Sequence, residues 1–351
     1  MHDPSTLLEN QLTALPRPFL RSRLSAAAVA GASAVLLSAC GGGVQGGGSA
    51  APVEEEGFPT NAVTLVAPSS AGGSTDLISR AVARCAEESL GQPMVVENRP
   101  GANGAVGGKE ALASSADGYT TVLLFKSLLS IGPLAIEDPD AIQYDEMTVI
   151  EPLTVEDYIL VVPAASDVQS VEDLVAKGTV NYGTTGVGTG SHLSQALLFG
   201  EAGVTATDVP FEGGAPTITA VLGNQVDVAA TQVAEAAPQI ESGDLRPIAV
   251  FSEERLDFFP DVPTAVEAGY DVTVDQRRFL AAPAGLPQTA EDKLRSSVEA
   301  ALQSPECTTF FEENYINIWD VAPDEVIPHL EESTEEYRSL LEASNIEFSA
   351  S

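Results

Sequence analysis

From residue 63 onward the chain alternates short apolar runs with stretches whose apolar positions recur at helical spacing. Val63, Leu65 and Val66 predict a buried strand. Leu77, Ile78, Ala81, Val82 and Cys85 then share one helix face, and that helix ends at Gly91 with Pro93 just beyond. Residues 91–101 read as a strand entering a turn, 104–113 as a helix of small residues and 119–125 as a strand. The strand 158–162, the helix 170–177 with Ser170 as its cap, the strand 180–183 and the helix 191–201 follow. Segments 216–222, 226–230, 235–242 and 245–250 continue the alternation, and a strand at 280–283 precedes long helices at 289–303 and 324–343. Such a sequence of elements predicts an α/β fold with a largely parallel sheet.

Two turns carry candidate chemistry. Ser69-Ser70-Ala71-Gly72-Gly73-Ser74-Thr75-Asp76 joins the first strand to the first helix. Such turns lie at the carboxyl end of a strand, where open α/β sheets bind ligands. The glycines let the backbone curl, Ser74 or Thr75 can cap the helix, and its first N–H groups form a seat for a carboxylate or phosphate. A tight capped turn without a ligand is the competing reading. The stretch matches neither G-x-G-x-x-G nor a phosphate loop, so no nucleotide is implied. Asn181-Tyr182-Gly183-Thr184-Thr185-Gly186-Val187-Gly188-Thr189-Gly190-Ser191-His192 repeats the device, with Ser191 as candidate cap. Two such seats facing across a cleft would hold both ends of a dicarboxylate.

Charge narrows the partners. The 351 residues carry a net charge of −35, a poor surface for nucleic acid. An anionic ligand must therefore be held by local dipoles against an unfavourable field. Of the 16 basic residues, Arg17, Arg21 and Arg23 precede Cys40, which leaves 13 beyond it. Arg21 and Arg23 flank an apolar segment at 24–39 that is too short to span a bilayer comfortably and reads as a secretory signal, so residues 1–39 are expected to be removed. Leu37-Ser38-Ala39-Cys40 followed by glycines resembles a bacterial lipoprotein box, with lipid on Cys40, and 41–57 reads as a flexible tether. Cys85 and Cys307 are then either a disulfide or two buried thiols.

At this point the chain resembles the substrate-binding proteins of tripartite tricarboxylate transporters, the Bug-type receptors, over 58–346. The resemblance is carried by Phe58-Pro59, Ala71-Gly72-Gly73-Ser74-Thr75-Asp76, Val95-Val96-Glu97-Asn98-Arg99-Pro100-Gly101-Ala102, Asp117-Gly118-Tyr119-Thr120 and Gly190-Ser191-His192-Leu193. It continues in Val209-Pro210-Phe211-Glu212-Gly213-Gly214-Ala215-Pro216, Gly223-Asn224-Gln225-Val226-Asp227, Pro260-Asp261-Val262-Pro263-Thr264 and Ala282-Pro283-Ala284-Gly285. It implies a two-lobed type II periplasmic-binding fold, each lobe a mostly parallel sheet flanked by helices, closing about a hinge. Lobe 1 is expected at 58–155 plus 276–351 and lobe 2 at 156–275. The resemblance implies no catalysis; no cofactor is expected, and the three scattered histidines, His2, His192 and His329, show no metal-ligand spacing. The resemblance also implies a monomeric extracytoplasmic receptor, held at the membrane by its lipid, that delivers a small organic anion to a large and a small integral membrane subunit.

The implied ligand-binding residues are Ser70, Ala71, Gly72, Gly73, Thr75 and Asp76 in the first loop, and Thr185, Gly186, Gly188, Ser191 and His192 in the second. Ser127, Thr231 and Gln232 join them. Many relatives carry Asp-Asn where this chain has Thr231-Gln232, so the missing acceptor charge argues against an amino-acid-like ligand. Lys126, Arg277 and Arg278 stand at cleft positions and predict a ligand with two or three carboxylates; pairing with acids of the protein is the alternative. Asp76 can also serve by bracing its turn. Other carboxylate-bearing ligands, such as aromatic acids, and a sensing role are the alternative function. A hydrolase built on Ser191, His192 and Asp227 is disfavoured, because adjacent side chains at a helix start diverge and no G-x-S-x-G elbow is present.

Overall fold

Val63, Leu65, Val66 and Ala67 are wholly buried, and they form β1 (Val63–Ala67). The computed structural model describes residues 57–344 and Ile346. The signal segment, Cys40 and the tether up to residue 56 lie outside the described residues. Helix α1 (Ser74–Leu90) stops at Gly91, whose φ of 79° suits glycine and whose N–H donates to the Glu87 carbonyl. β2 (Met94–Asn98), α2 (Ala105–Leu112) and β3 (Thr120–Phe125) follow, then a helical turn at Ser127–Ile131 and the short α3 (Gly132–Ala135).

β4 (Met147–Pro163) is far longer than its apolar run suggests. Beyond it come α4 (Val171–Ala176), β5 (Thr179–Thr184), α5 (Gly190–Glu201), β6 (Thr205–Pro210), α6 (Gly214–Leu222), β7 (Val228–Gln232), α7 (Val233–Glu241) and β8 (Leu245–Val250). β9 (Asp275–Pro283), α8 (Gln288–Leu302), α9 (Pro305–Glu313), β10 (Asn317–Ile318) and α10 (Val326–Ser344) complete the chain.

The strand order is β2-β1-β3-β9-β4-β7-β5-β6, with β8 and β10 also paired to β4. β2-β1-β3 and β7-β5-β6 are parallel sets, one to each lobe, as expected of α/β units. The strands between them are antiparallel, which corrects the largely parallel picture. β4 pairs with β9 as far as Asp157 and with β7 from Tyr158, so one strand belongs to both lobes. α10 does the same: Val326 and Leu330 pack in a lobe 1 core with Phe279, while Tyr337 and Leu341 pack in a lobe 2 core with Tyr158 and Phe199.

Cys85 on α1 and Cys307 on α9 are joined as a disulfide, with Cα atoms 6.2 Å apart. That settles the choice between a bridge and two thiols. Ser170 caps α4 as expected, accepting from the Asp173 N–H. The other two capping assignments change. α1 has Gly73 at its N-cap with no side-chain cap, and α5 is capped by Thr189, whose hydroxyl accepts from the His192 N–H.

Candidate functional site

The two glycine-rich loops come from opposite lobes and line one cleft of about 590 Å³, a volume in the range of small-molecule sites. Ser69 to Thr75 form one wall and Thr185 to Thr189, without Gly188, form another. Pro210 to Pro216 add a third wall, at the mouth of α6, and Pro100 to Gly104 a fourth. Ser127, Tyr158, Gln232, Glu235, Gln276 and Arg278 add polar groups to the lining, and Pro68, Phe125 and Ile136 apolar ones. Asn103, held at φ 50°, reaches across the cleft and donates to the Gly188 carbonyl at 3.5 Å.

Each loop is braced by its own side chains. Asp76 accepts from the Gly72 N–H and from Asn98 Nδ2, both at 2.9 Å, and pairs with Arg80 at 2.8 Å. Burial opposes its charge, but Arg80 and the Gly72 amide outweigh that and lower its pKa. In the second loop Ser191 Oγ donates to the Ala230 carbonyl at 2.5 Å and accepts from the Thr185 N–H at 3.2 Å. His192 Nδ1 accepts from the Gly188 N–H at 3.4 Å, and burial lowers its pKa against the pull of Asp208. Asp227 is engaged by Lys177 and the Asn181 N–H, so Ser191, His192 and Asp227 form no triad. Gly190 must be glycine: a Cβ there would lie 2.4 Å from the Tyr158 ring.

The cations are spent within the protein. Lys126 is buried, paired with Asp275 and donating to the Tyr337 hydroxyl at 2.7 Å. Arg277 pairs with Asp275 at 3.0 Å and lies over the Trp319 ring. Arg278 faces the cleft but pairs with buried Glu156, which also accepts from Ser74 Oγ at 2.6 Å and Thr154 Oγ1 at 2.7 Å. All 13 basic residues beyond Cys40 are engaged, Arg246 and Lys293 by backbone carbonyls and the rest by carboxylates.

Of the sequence-predicted residues, Ser70, Ala71, Gly72, Gly73, Thr75, Ser127, Thr185, Gly186, Gln232 and Arg278 line the cleft. Asp76, Lys126, Gly188, Ser191, His192, Thr231 and Arg277 do not; they brace its walls or the strand crossing beneath it. Thr231 is wholly buried and pairs with Ile159 in the sheet.

The profile of the tripartite tricarboxylate transporter family receptor (TctC) matches residues 78–346. The chain belongs to this family. BugT of Bordetella pertussis is 31% identical over 264 residues, covering 72% of this chain and 80% of BugT. Among solved structures, the periplasmic binding protein BugD superposes with a TM-score of 0.77 at 26% identity, covering 83% of this chain and 99% of BugD. An R. palustris protein solved with adipate gives 0.78 at 27% identity, covering 83% and 99%. MatC from Rhodopseudomonas palustris, with bound malate, gives 0.75 at 26%, covering 81% and 100%. The two-lobed binding fold and the role of solute receptor, rather than enzyme, follow. No helix among the described residues is long and apolar enough to cross a membrane.

Sequence reasoning missed Ser74, Tyr158, Glu235, Gln276 and the α6 mouth as parts of the receptor's cleft. Gly213-Gly214 before a helix repeats the device seen twice already, so that signal was present. Glu235 gave none, since an acid in the first turn of a helix is ordinarily a solvated partner of the macrodipole.

Three carboxyls of the receptor are pushed up: Glu151 to about 7 by burial and neighbouring Glu299, Asp157 to about 6 by burial and Asp275, and Glu235 to about 7 by burial. Each binds its proton more tightly folded than unfolded. Their contribution is full below the unfolded value and is lost as pH rises through about 6 to 7. Asp76 and Asp275 are lowered, so theirs is lost only as pH falls below the usual carboxylate range. The melting temperature is therefore expected to peak near about pH 5 and to fall, on the order of 5 °C, by about pH 8. Calorimetry in about 0.5 M salt, which screens surface repulsion, checks this; a flat or rising profile contradicts it.

Proposed function

We propose that the cleft captures a di- or tricarboxylate between its lobes, seating one carboxylate against Thr185 and Thr189 of one loop and bringing the far end of the ligand to the amides that open α1. The observation that carries this reading is the convergence of two glycine-rich loops on one cleft whose cations are already paired. Such a site holds an anion by oriented amides rather than by a free charge. The adipate and malate bound by structural neighbours support the ligand class. Gln232, Ser127 and Arg278 line the floor, where a second polar group would lie. In this reading the lipid on Cys40 anchors the receptor outside the cell membrane, and the loaded form passes its ligand to a large and a small integral membrane subunit.

Gly73 offers a clean test. Its φ of −84° suits any residue, and a Cβ there meets nothing closer than 3.8 Å. Gly73→Ala should therefore cost no more than about 1 kcal/mol of stability, the loss of a favoured N-cap residue, while narrowing the seat. Calorimetric titration with adipate, malate and citrate should show binding to the parent protein and at least about a tenfold loss in the variant, or about 1.4 kcal/mol. Retention of none of the three by the parent, or equal affinity in the variant, would overturn the reading.

A further inference from the structure

Glu235 occupies the place where a ligand's negative charge is expected. It stands in the first turn of α7, in lobe 2, yet its carboxylate reaches the helix mouth of lobe 1. A Cβ added to Gly214 would come within 2.1 Å of Oε2, and one added to Gly73 within 4.0 Å of Oε1. The group therefore lies between the first residue of α6 and the N-cap of α1. The backbone amides of Ser74 and Gln232 point at it. The Gln232 side chain, turned so that its oxygen accepts from Arg278 Nη2 at 3.3 Å, donates to Oε2 at 3.1 Å.

The charges facing it come from every neighbouring element. Arg278 on β9 is attractive but is paired with Glu156 on β4, which repels. Tyr158 on β4 and Glu212 in the loop before α6 line the same cleft. The residues of α1 that face it bring amides and the Ser74 hydroxyl, which is turned to Glu156. Among the described residues, Glu235 is thus a cleft carboxylate without an ion pair of its own, held by amides with Arg278 shared with Glu156. Two carboxylates cannot both stay ionised at close range in a water-poor cleft.

We propose that Glu235 is the specificity-determining side chain of the cleft: as a carboxylate it takes an ammonium group at the far end of the ligand, and it admits a second carboxylate there only by carrying a proton. This deepens the reading of the cleft as a carboxylate receptor and rests on it. Burial already raises the Glu235 carboxyl to about 7, against the pull of Arg278, so the proton is available near neutral pH. A dicarboxylate then binds with proton uptake, and its affinity falls as pH rises. An amino acid of equal length needs the carboxylate form and displaces that proton, so its affinity rises with pH instead.

The test uses ligand pairs matched in length: adipate with ε-aminocaproate, and succinate with γ-aminobutyrate. Binding to the purified receptor is measured by calorimetry between about pH 6 and about pH 8.5. Dicarboxylate affinity should fall at least about tenfold across that range, and amino-acid affinity should rise by about as much. Glu235→Gln should flatten the dicarboxylate profile and weaken the amino acids. Gly214→Ala, which drives the carboxylate from its place by contact, should flatten the profile as well. Pairs whose affinity ratio moves neither with pH nor with either variant would overturn this inference and leave the carboxylate reading standing. Binding of no member of either pair would remove both. Without ligand, Glu235→Gln should raise the melting temperature at about pH 8 and not at about pH 5; no difference at either pH also counts against it.

Discussion

Lys126→Ala is expected to cost about 3 kcal/mol of stability and to leave carboxylate affinity within about threefold of the parent. The ammonium is buried, with its charge on Asp275 and a hydrogen bond to Tyr337. Burial alone would lower its pKa, but Tyr337 and Asp275 raise it above the ordinary value. Removing it strands Asp275 at the crossing of β4 and β9, where Arg277 compensates only in part. The loss also severs a tie to α10, whose Tyr337 belongs to the lobe 2 core. Urea unfolding monitored by circular dichroism gives the stability change, and titration under native conditions gives the affinity. A large loss of affinity with an unchanged urea midpoint would return Lys126 to the ligand site. Lys126→Ala with Asp275→Asn should recover part of the stability, because the stranded charge is then gone.

Breaking the Cys85–Cys307 bridge is expected to have the largest effect on stability of any change proposed here. The bridge closes a loop with a sequence separation of 222. A chain-entropy account of so long a loop gives at most about 5 kcal/mol, and such bridges deliver about 2–5 kcal/mol in practice. Cys307 is wholly buried against α1, so a serine there adds an unsatisfied hydroxyl; the cleaner variant is the double alanine. Its melting temperature should fall on the order of 10 °C, with the cleft unaffected under native conditions. Equal melting temperatures with and without reductant, together with free thiols in the unfolded unreduced protein, would refute the bridge.

The two glycine-rich loops that line the cleft were legible in the sequence because they are local. Glycines, small hydroxyl residues and a helix start within a few positions dictate a backbone geometry with little help from elsewhere. The same local logic makes Ser74 or Thr75, and Ser191, candidate caps. Distant groups, Glu156 for Ser74 and the Ala230 carbonyl for Ser191, claim those hydroxyls instead. Lys126, Arg277 and Arg278 are candidate ligand contacts in the sequence because cations are scarce in an acidic chain, with pairing to acids of the protein as the alternative. Whether a scarce cation meets ligand or protein depends on Asp275 and Glu156, which only the β4–β9 register brings close.

That register also hid the length of both strands. An apolar run with Glu156 and Asp157 at one end looks finished, and Asp275-Gln276-Arg277-Arg278 looks like a loop. Charges continue a buried strand when the opposite sign lies on its neighbour, a pattern no single stretch displays. Glu235 is the extreme case, since its meaning comes from Gly73 and Gly214, two glycines on different helices.

The strand order has a consequence for how the molecule is made. β9 lies between β3 and β4, although all of lobe 2 is synthesised between β3 and β9. The chain from β5 to β8 is one continuous piece and can pair with the end of β4 as it emerges. The parallel trio β2-β1-β3 must wait, with the edge of β3 open and Val122, Leu123 and Leu124, all buried at the end, lacking their neighbours. The half that begins first is the half that finishes last, and until β9 arrives its open edge is the part of the folding chain most exposed to wrong pairing.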